Sequence, residues 1–281
     1  IKEGDRKMSV LKRLSKSKYF NTVLWIVILI VVWEIGATAV AATKRSPENV
    51  LPHLSGIIES VVSKDTINGS QTAVQMVLEN AKATISRALV GFGIGTALGF
   101  VLALFMSRFK TVEKIAFPYL MIIQMIPILG MAPLIFAITQ DISKSRIIIA
   151  AILTFYPVAT NTLAGFKAVE KEKHELMISY AASKFQLYTK TMIPSCIPYF
   201  FTGLKISAPM AITASILVDT LQGGIGLGCL LSQALKGAMS RYVFWQIVFL
   251  SAFIGIFSFL LMGIIEYVLC PYKRKGNKQE E

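Results

Sequence analysis

The strongest constraint on this chain is a series of apolar stretches, most about 20 residues or more in length. A helix of that length crosses the roughly 30 Å hydrocarbon core of a bilayer. Six stretches qualify as spans, at about 22–42, 83–106, 115–139, 147–163, 198–221 and 242–269. Charged residues make up 16% of the 281-residue chain, against about 25% in a soluble domain. The expected fold class is all-α: a polytopic membrane helical bundle of about six transmembrane helices. No linker divides it, so the expected organisation is a basic tail over 1–19, a transmembrane domain over 20–270 and a short tail over 271–281.

The formal net charge is +13. In a membrane chain this does not point to nucleic acid, because Lys and Arg crowd cytoplasmic loops. With both termini inside, nineteen of the 29 basic residues fall on the cytoplasmic side and nine on the outer side. Lys205 sits near the inner end of the fifth span. This predicts a bacterial plasma-membrane protein, multi-pass, with both termini cytoplasmic. The basic start followed by an apolar run has the outline of a signal peptide. Its length and the interruption at Glu34 favour a first membrane helix instead. Cys196, Cys229 and Cys270 lack metal or disulfide spacing, and His53 and His174 are isolated, so no metal site is expected.

Within the second span, Gly91, Gly95 and Gly99 recur every fourth residue. Small residues on one helix face let a neighbouring helix approach closely. No Gly-Lys-Ser/Thr follows, so this is a packing face and not a nucleotide loop. The third span carries Pro118, Pro127 and Pro133. Proline frees backbone groups that need a partner or a wet cavity, so Gln124, Met125, Pro127 and Met131 are candidates to line a pathway. Glu34, Lys205, Asp219 and Glu266 are costly in hydrocarbon unless paired or wet. Asp219 and Gln222 stand at the outer end of the fifth span, before a glycine-rich turn at 223–228. A short surface or re-entrant helix is expected from Cys229 to Met239.

The stretch from Glu175 to Leu204 is mixed polar and apolar. It predicts two short helices meeting near residues 181–183, within a cytoplasmic loop over about 167–198. Pro194 and Pro198 open the next span.

This loop resembles the EAA loop of ABC-importer permease subunits. Glu175 matches its Glu and Ile193-Pro194 its end. Leu176 and Met177 replace the two alanines, and Ala181 replaces the glycine. Ala is a mild replacement for a bend that needs only a small side chain. Ser86-Arg87-Ala88-Leu89-Val90-Gly91-Phe92, Ile126-Pro127, Ala132-Pro133-Leu134, Phe155-Tyr156-Pro157, Gly203-Leu204-Lys205 and Gly226-Leu227-Gly228 follow in the family's order. Together they are similar to the nitrate/sulfonate/taurine branch, which includes importers of thiamine-precursor pyrimidines and riboflavin. The resemblance covers about 49–267.

The resemblance implies a type I importer permease fold with a cytoplasmic coupling-helix loop. It implies a permease subunit of an ATP-driven importer that takes a small nutrient from an extracellular substrate-binding protein. Two ATP-binding cassette subunits and a second permease subunit, identical or paralogous, would be its partners, in contact with membrane lipid. This chain would bind no cofactor, and ATP and Mg would belong to the partner subunits. It would be no enzyme itself. Glu175, Ala181, Ala182, Ser183, Lys184, Phe185 and Gln186 would couple to the ATPase, with Leu176, Met177, Phe185, Leu187 and Tyr188 as apolar anchors. Asp219 would serve an outer gate or substrate passage. The alternative is a secondary transporter or channel not coupled to ATP.

Overall fold

The computed structural model describes residues 18–44, 50–63, 71–237 and 241–270. Residues 1–17, 45–49, 64–70, 238–240 and 271–281 lie outside the described residues, and with them most of the two expected tails and the end of the expected helix at Met239. The described chain is helical throughout. In order the helices are α1 (Lys18–Thr43), α2 (Leu54–Val62), α3 (Ala73–Arg108), α4 (Lys110–Met125), α5 (Ile128–Thr139) and α6 (Ile142–Lys167). Then come α7 (Lys171–Ser179), α8 (Lys184–Leu187), α9 (Ile193–Gln222), α10 (Leu227–Leu235) and α11 (Arg241–Leu269). Five helices are long and apolar enough to cross a membrane, or six if the bent pair α4–α5 is one span.

Helix boundaries follow local chemistry. α3 starts ten residues before the expected apolar run because Thr72 builds a capping box. Its hydroxyl accepts from Gln75 N at 3.4 Å, and the Gln75 side chain accepts from Thr72 N at 3.1 Å, satisfying two otherwise unpaired donors. Asp141 caps α6 by accepting from Lys144 N at 3.0 Å. The expected continuous third span is instead broken at Ile126-Pro127, and its halves are bent by 109°. A residue before proline is pushed out of helical geometry, and Ile126 takes ψ 126°.

α3, α6 and α9 form the centre, while α1 and α11 lie mostly exposed, as lipid-facing helices do. The glycine face of α3 meets the backbone of α6 directly. A Cβ at Gly91, Gly95 or Gly99 would stand 2.6, 2.4 or 2.8 Å from the carbonyl oxygens of Ile147, Ala151 and Phe155. Both helices therefore advance in step, four residues at a time. α10 is not a surface helix: Leu227, Cys229, Leu230 and Ala234 are buried. Leu227 and Leu230 join Met76, Val77, Val243 and Ile247 in an apolar cluster at one end of the bundle. At the opposite end Ala103, Met106, Leu120, Leu163, Phe166 and Cys196 form a second cluster.

Intramembrane charges are paired. Lys205 on α9 bonds Glu266 on α11. Glu34 on α1 contacts His53 Nδ1 at 2.6 Å and accepts from Leu54 N at 2.9 Å, so it caps the start of α2.

Gly95→Ala forces α3 away from rigid backbone and is expected to destabilise the purified protein by about 1–3 kcal/mol. Gly93→Ala, whose Cβ would meet nothing within 4 Å, is expected to be tolerated. Thermal melts of the two variants in one detergent make the comparison.

Candidate functional site: a buried ion cluster and an exposed hairpin

The buried site begins with Asp219, near the end of α9. Thr84 Oγ1 on α3 donates to its Oδ2 at 2.7 Å. Arg146 Nε on α6 lies 2.7 Å from its Oδ1, an ion pair whose angle falls short of a hydrogen bond. Arg87 Nη2 on α3 lies at 3.6 Å. Three helices thus meet at one carboxylate. Asp219 has no exposed surface and Arg146 is 2% exposed.

The same arginines hold the glycine turn. Arg146 Nη2 donates to Gly223 O at 2.6 Å and Arg87 Nη2 to Ile225 O at 2.5 Å. Gly226 N donates to Asn80 Oδ1 at 2.6 Å, and Leu227 N to Thr84 Oγ1 at 2.9 Å. Thr84 therefore accepts from the turn and donates to the acid. At Gly226 a Cβ would fall 2.1 Å from Asp219 Oδ2, so the turn needs glycine there. Gly223 and Gly224 take φ of 66° and 91°, where other residues are strained.

The pathway candidates are differently placed. Gln124, Met125 and Pro127 are exposed at the α4–α5 bend. Met131 is half-buried and packs on Ala132, Ile135, Ile149, Ala214 and Val218. Asp219 is enclosed in its ion cluster. Gln222 ends α9, and its side chain lies outside the described residues. Among the described residues no group of three or more His, Cys, Asp or Glu could hold a metal.

At the opposite end of the bundle the chain forms a hairpin. α7 has no buried residue. It closes with Ala182 N donating to Met177 O at 3.0 Å and Ala181 N to Ile178 O at 2.8 Å, the Schellman pattern. Ala181 takes φ 50°. The bend therefore takes a positive φ, so the condition under which Ala would be a mild replacement for glycine is not met. A non-glycine residue in left-handed geometry costs roughly 1–2 kcal/mol.

Ser183 then caps α8. Its hydroxyl accepts from Gln186 N at 3.3 Å, and Gln186 Oε1 accepts from Ser183 N at 2.8 Å. Gln186 is thus committed to the cap. A π-turn over Tyr188–Met192 joins α8 to α9 without a break. Lys184–Leu221 is then one helix of 38 residues. At 1.5 Å per residue it is about 57 Å long, so its first turns project beyond the hydrocarbon core. Lys167 on α6 pairs with Glu113 on α4 near the root of the hairpin.

Glu175, Ser183, Lys184, Phe185 and Gln186 are exposed, and Ala182 is half-buried. Leu176, Ile178, Tyr180 and Phe185 project 55–77% exposed. Sequence reasoning missed Ile178 and Tyr180, which have no helical stripe to reveal them. Leu187 and Tyr188 are half-buried instead, and the Tyr188 ring lies 6.4 Å from that of Phe166.

Such a bundle, with paired charges within its spans and an unburied hairpin at one end, is a polytopic membrane subunit built to meet other chains. The family model for the binding-protein-dependent transport system inner membrane component matches residues 95–268, and the chain belongs to that family. It is a permease component of a binding-protein-dependent ABC transport system, a multi-pass inner-membrane subunit that is not itself catalytic. The formylaminopyrimidine transport permease protein ThiX of Halalkalibacterium halodurans is 29% identical over 90% of this chain and 95% of its own. The nitrate import permease protein NrtB of Synechocystis sp. is 24% identical over 96% of both. The crystal structure of an amino acid ABC transporter with histidines shares the fold, with a TM-score of 0.60 and 17% identity over 73% of this chain and 99% of that one.

Asp219→Asn leaves the buried Arg146 and the partly buried Arg87 without their counter-charge. It is expected to cost about 3–5 kcal/mol and lower the melting temperature sharply. Arg87→Gln keeps the Arg146–Asp219 pair and is expected to cost less; parallel melts rank the two.

Proposed function

We propose that residues 167–198 form the cytoplasmic handle on which an ATP-binding cassette subunit docks. One observation carries this reading: α7 and α8 present Leu176, Ile178, Tyr180 and Phe185 to solvent from a hairpin fixed by a Schellman turn and a capping box. Exposed apolar side chains on a rigid element, rimmed by Glu175 and Lys184, are what an interface anchor requires. Glu175, Ala181, Ala182, Ser183, Lys184, Phe185 and Gln186 make up the docking segment, Ser183 and Gln186 by shaping it.

The complete importer holds two ATPase subunits, which bind ATP and Mg, two permease subunits and an extracellular binding protein. Both termini of this chain are cytoplasmic. Its cargo is a small nutrient, of the kind that the relatives' names give for those proteins. ATP-driven approach of the two ATPases moves the hairpins, and the continuous α8–α9 rod carries that motion to the outer end. Gln124, Met125, Pro127 and Met131, at the bend of α4 and α5, line the path. Asp219, with Gln222, serves its outer end by holding the 223–228 turn.

Glu175→Arg combined with Ala182→Asp reverses one rim charge and puts a carboxylate in the turn. Capture of the ATPase subunit and nutrient-stimulated ATP hydrolysis by the purified complex are expected to fall at least about tenfold. Unchanged capture and hydrolysis would rule out docking at this hairpin.

A further inference from the structure

A groove runs between the inner end of α3 and the hairpin. Leu104, Phe105 and Phe109 form one wall, and Phe185, Tyr188 and Ile193 the other. Arg108 and Lys184 line the same groove. Both are exposed, and among the described residues neither has an acidic side chain within ion-pair distance. The Arg108 guanidinium lies over the Phe109 ring, 5.2 Å from its centroid. This cation–π contact holds the guanidinium near the ring and leaves its N–H donors for an anion.

Placement narrows the occupant. The groove lies where α3 ends and where the α8–α9 rod leaves the hydrocarbon core. An apolar cleft there meets acyl chains on one side and headgroups on the other. Two unpaired cations at its edge suit a phosphate, and basic pockets between helices on the cytoplasmic side take anionic headgroups. A protein partner would need acidic side chains at the same spot and would leave the cleft facing lipid.

We propose that this groove binds one anionic phospholipid of the cytoplasmic leaflet, its phosphate on Arg108 and Lys184 and an acyl chain along Phe105, Tyr188 and Ile193. The proposal rests on the cytoplasmic placement of the hairpin given above. A lipid there wedges the hairpin against α3, so leaflet composition sets how firmly the hairpin is held. The groove shares Lys184 and Phe185 with the α8 part of the docking segment, while the α7 anchors Leu176, Ile178 and Tyr180 do not line it.

Native mass spectrometry of the full chain, titrated with phosphatidylglycerol or phosphatidylcholine, tests it. One phosphatidylglycerol is expected to be retained in preference to phosphatidylcholine. Arg108→Gln should weaken it about fivefold, and Arg108→Gln with Lys184→Gln about 30-fold. Lys144→Gln, an equal charge loss in a different loop, should change nothing. Equal retention of the two lipids overturns the proposal, as does undiminished phosphatidylglycerol binding by the double variant. Displacement of the lipid by added ATPase subunit assigns the groove to that protein and overturns it too. Lipid binding in detergent is measured without the ATPase, so unchanged ATPase capture by the hairpin variant, with lipid binding intact, would strike the handle alone.

Discussion

The structure depends on backbone-to-backbone contact between α3 and α6. In hydrocarbon, helices gain little from burying apolar surface against each other, so close packing must hold them. Gly91, Gly95 and Gly99 bring α3 onto the carbonyl oxygens of Ile147, Ala151 and Phe155. That contact fixes both the spacing and the stagger of the two helices. Thr84 and Arg87 on α3 and Arg146 on α6 then stand at one level near the outer end. Asp219 on α9 completes the set. A buried cluster with two cations and one anion is tolerable only if its remaining donors are used, and the carbonyls of Gly223 and Ile225 use them. The outer turn is in this sense part of the core.

The inner end is built on the opposite principle. Nothing on α7 is buried, and its shape comes from short-range hydrogen bonds at Ala181–Ala182 and Ser183–Gln186. A hairpin shaped in this way keeps its form with its apolar side chains exposed. The α8–α9 rod links it to the turn that Asp219 holds, so the two ends of the molecule share one helix. The hairpin and the Asp219 cluster are thus joined by one continuous helix.

Much of this was legible in the sequence. Span length and the four-residue glycine spacing are local signals, and they located the membrane helices and the packing face. The hairpin was legible from its polar interruption and its family order. Other features depend on residues distant in sequence. Arg87 and Arg146 looked like ordinary outer-side charges, because nothing near them points to Asp219, over 70 residues further on. The Lys205–Glu266 pair is hidden for the same reason. The break at Ile126-Pro127 was visible as a proline but not as a 109° bend, since prolines at 118 and 133 sit inside intact helices. The left-handed Ala181 was masked by its identity, as alanine gives no sign of positive φ. α10 is too short and too apolar for its burial to be read from pattern alone.

Residue accessibility tests the central claim most directly. A cysteine placed at Tyr180, at the tip of the hairpin, would be the exposed thiol among the described residues, since Cys196, Cys229 and Cys270 are buried. In inside-out membrane vesicles the account predicts rapid labelling by a membrane-impermeant maleimide, and protection when the ATPase subunit is added. Labelling in right-side-out vesicles only, or labelling unaffected by the ATPase, would contradict it.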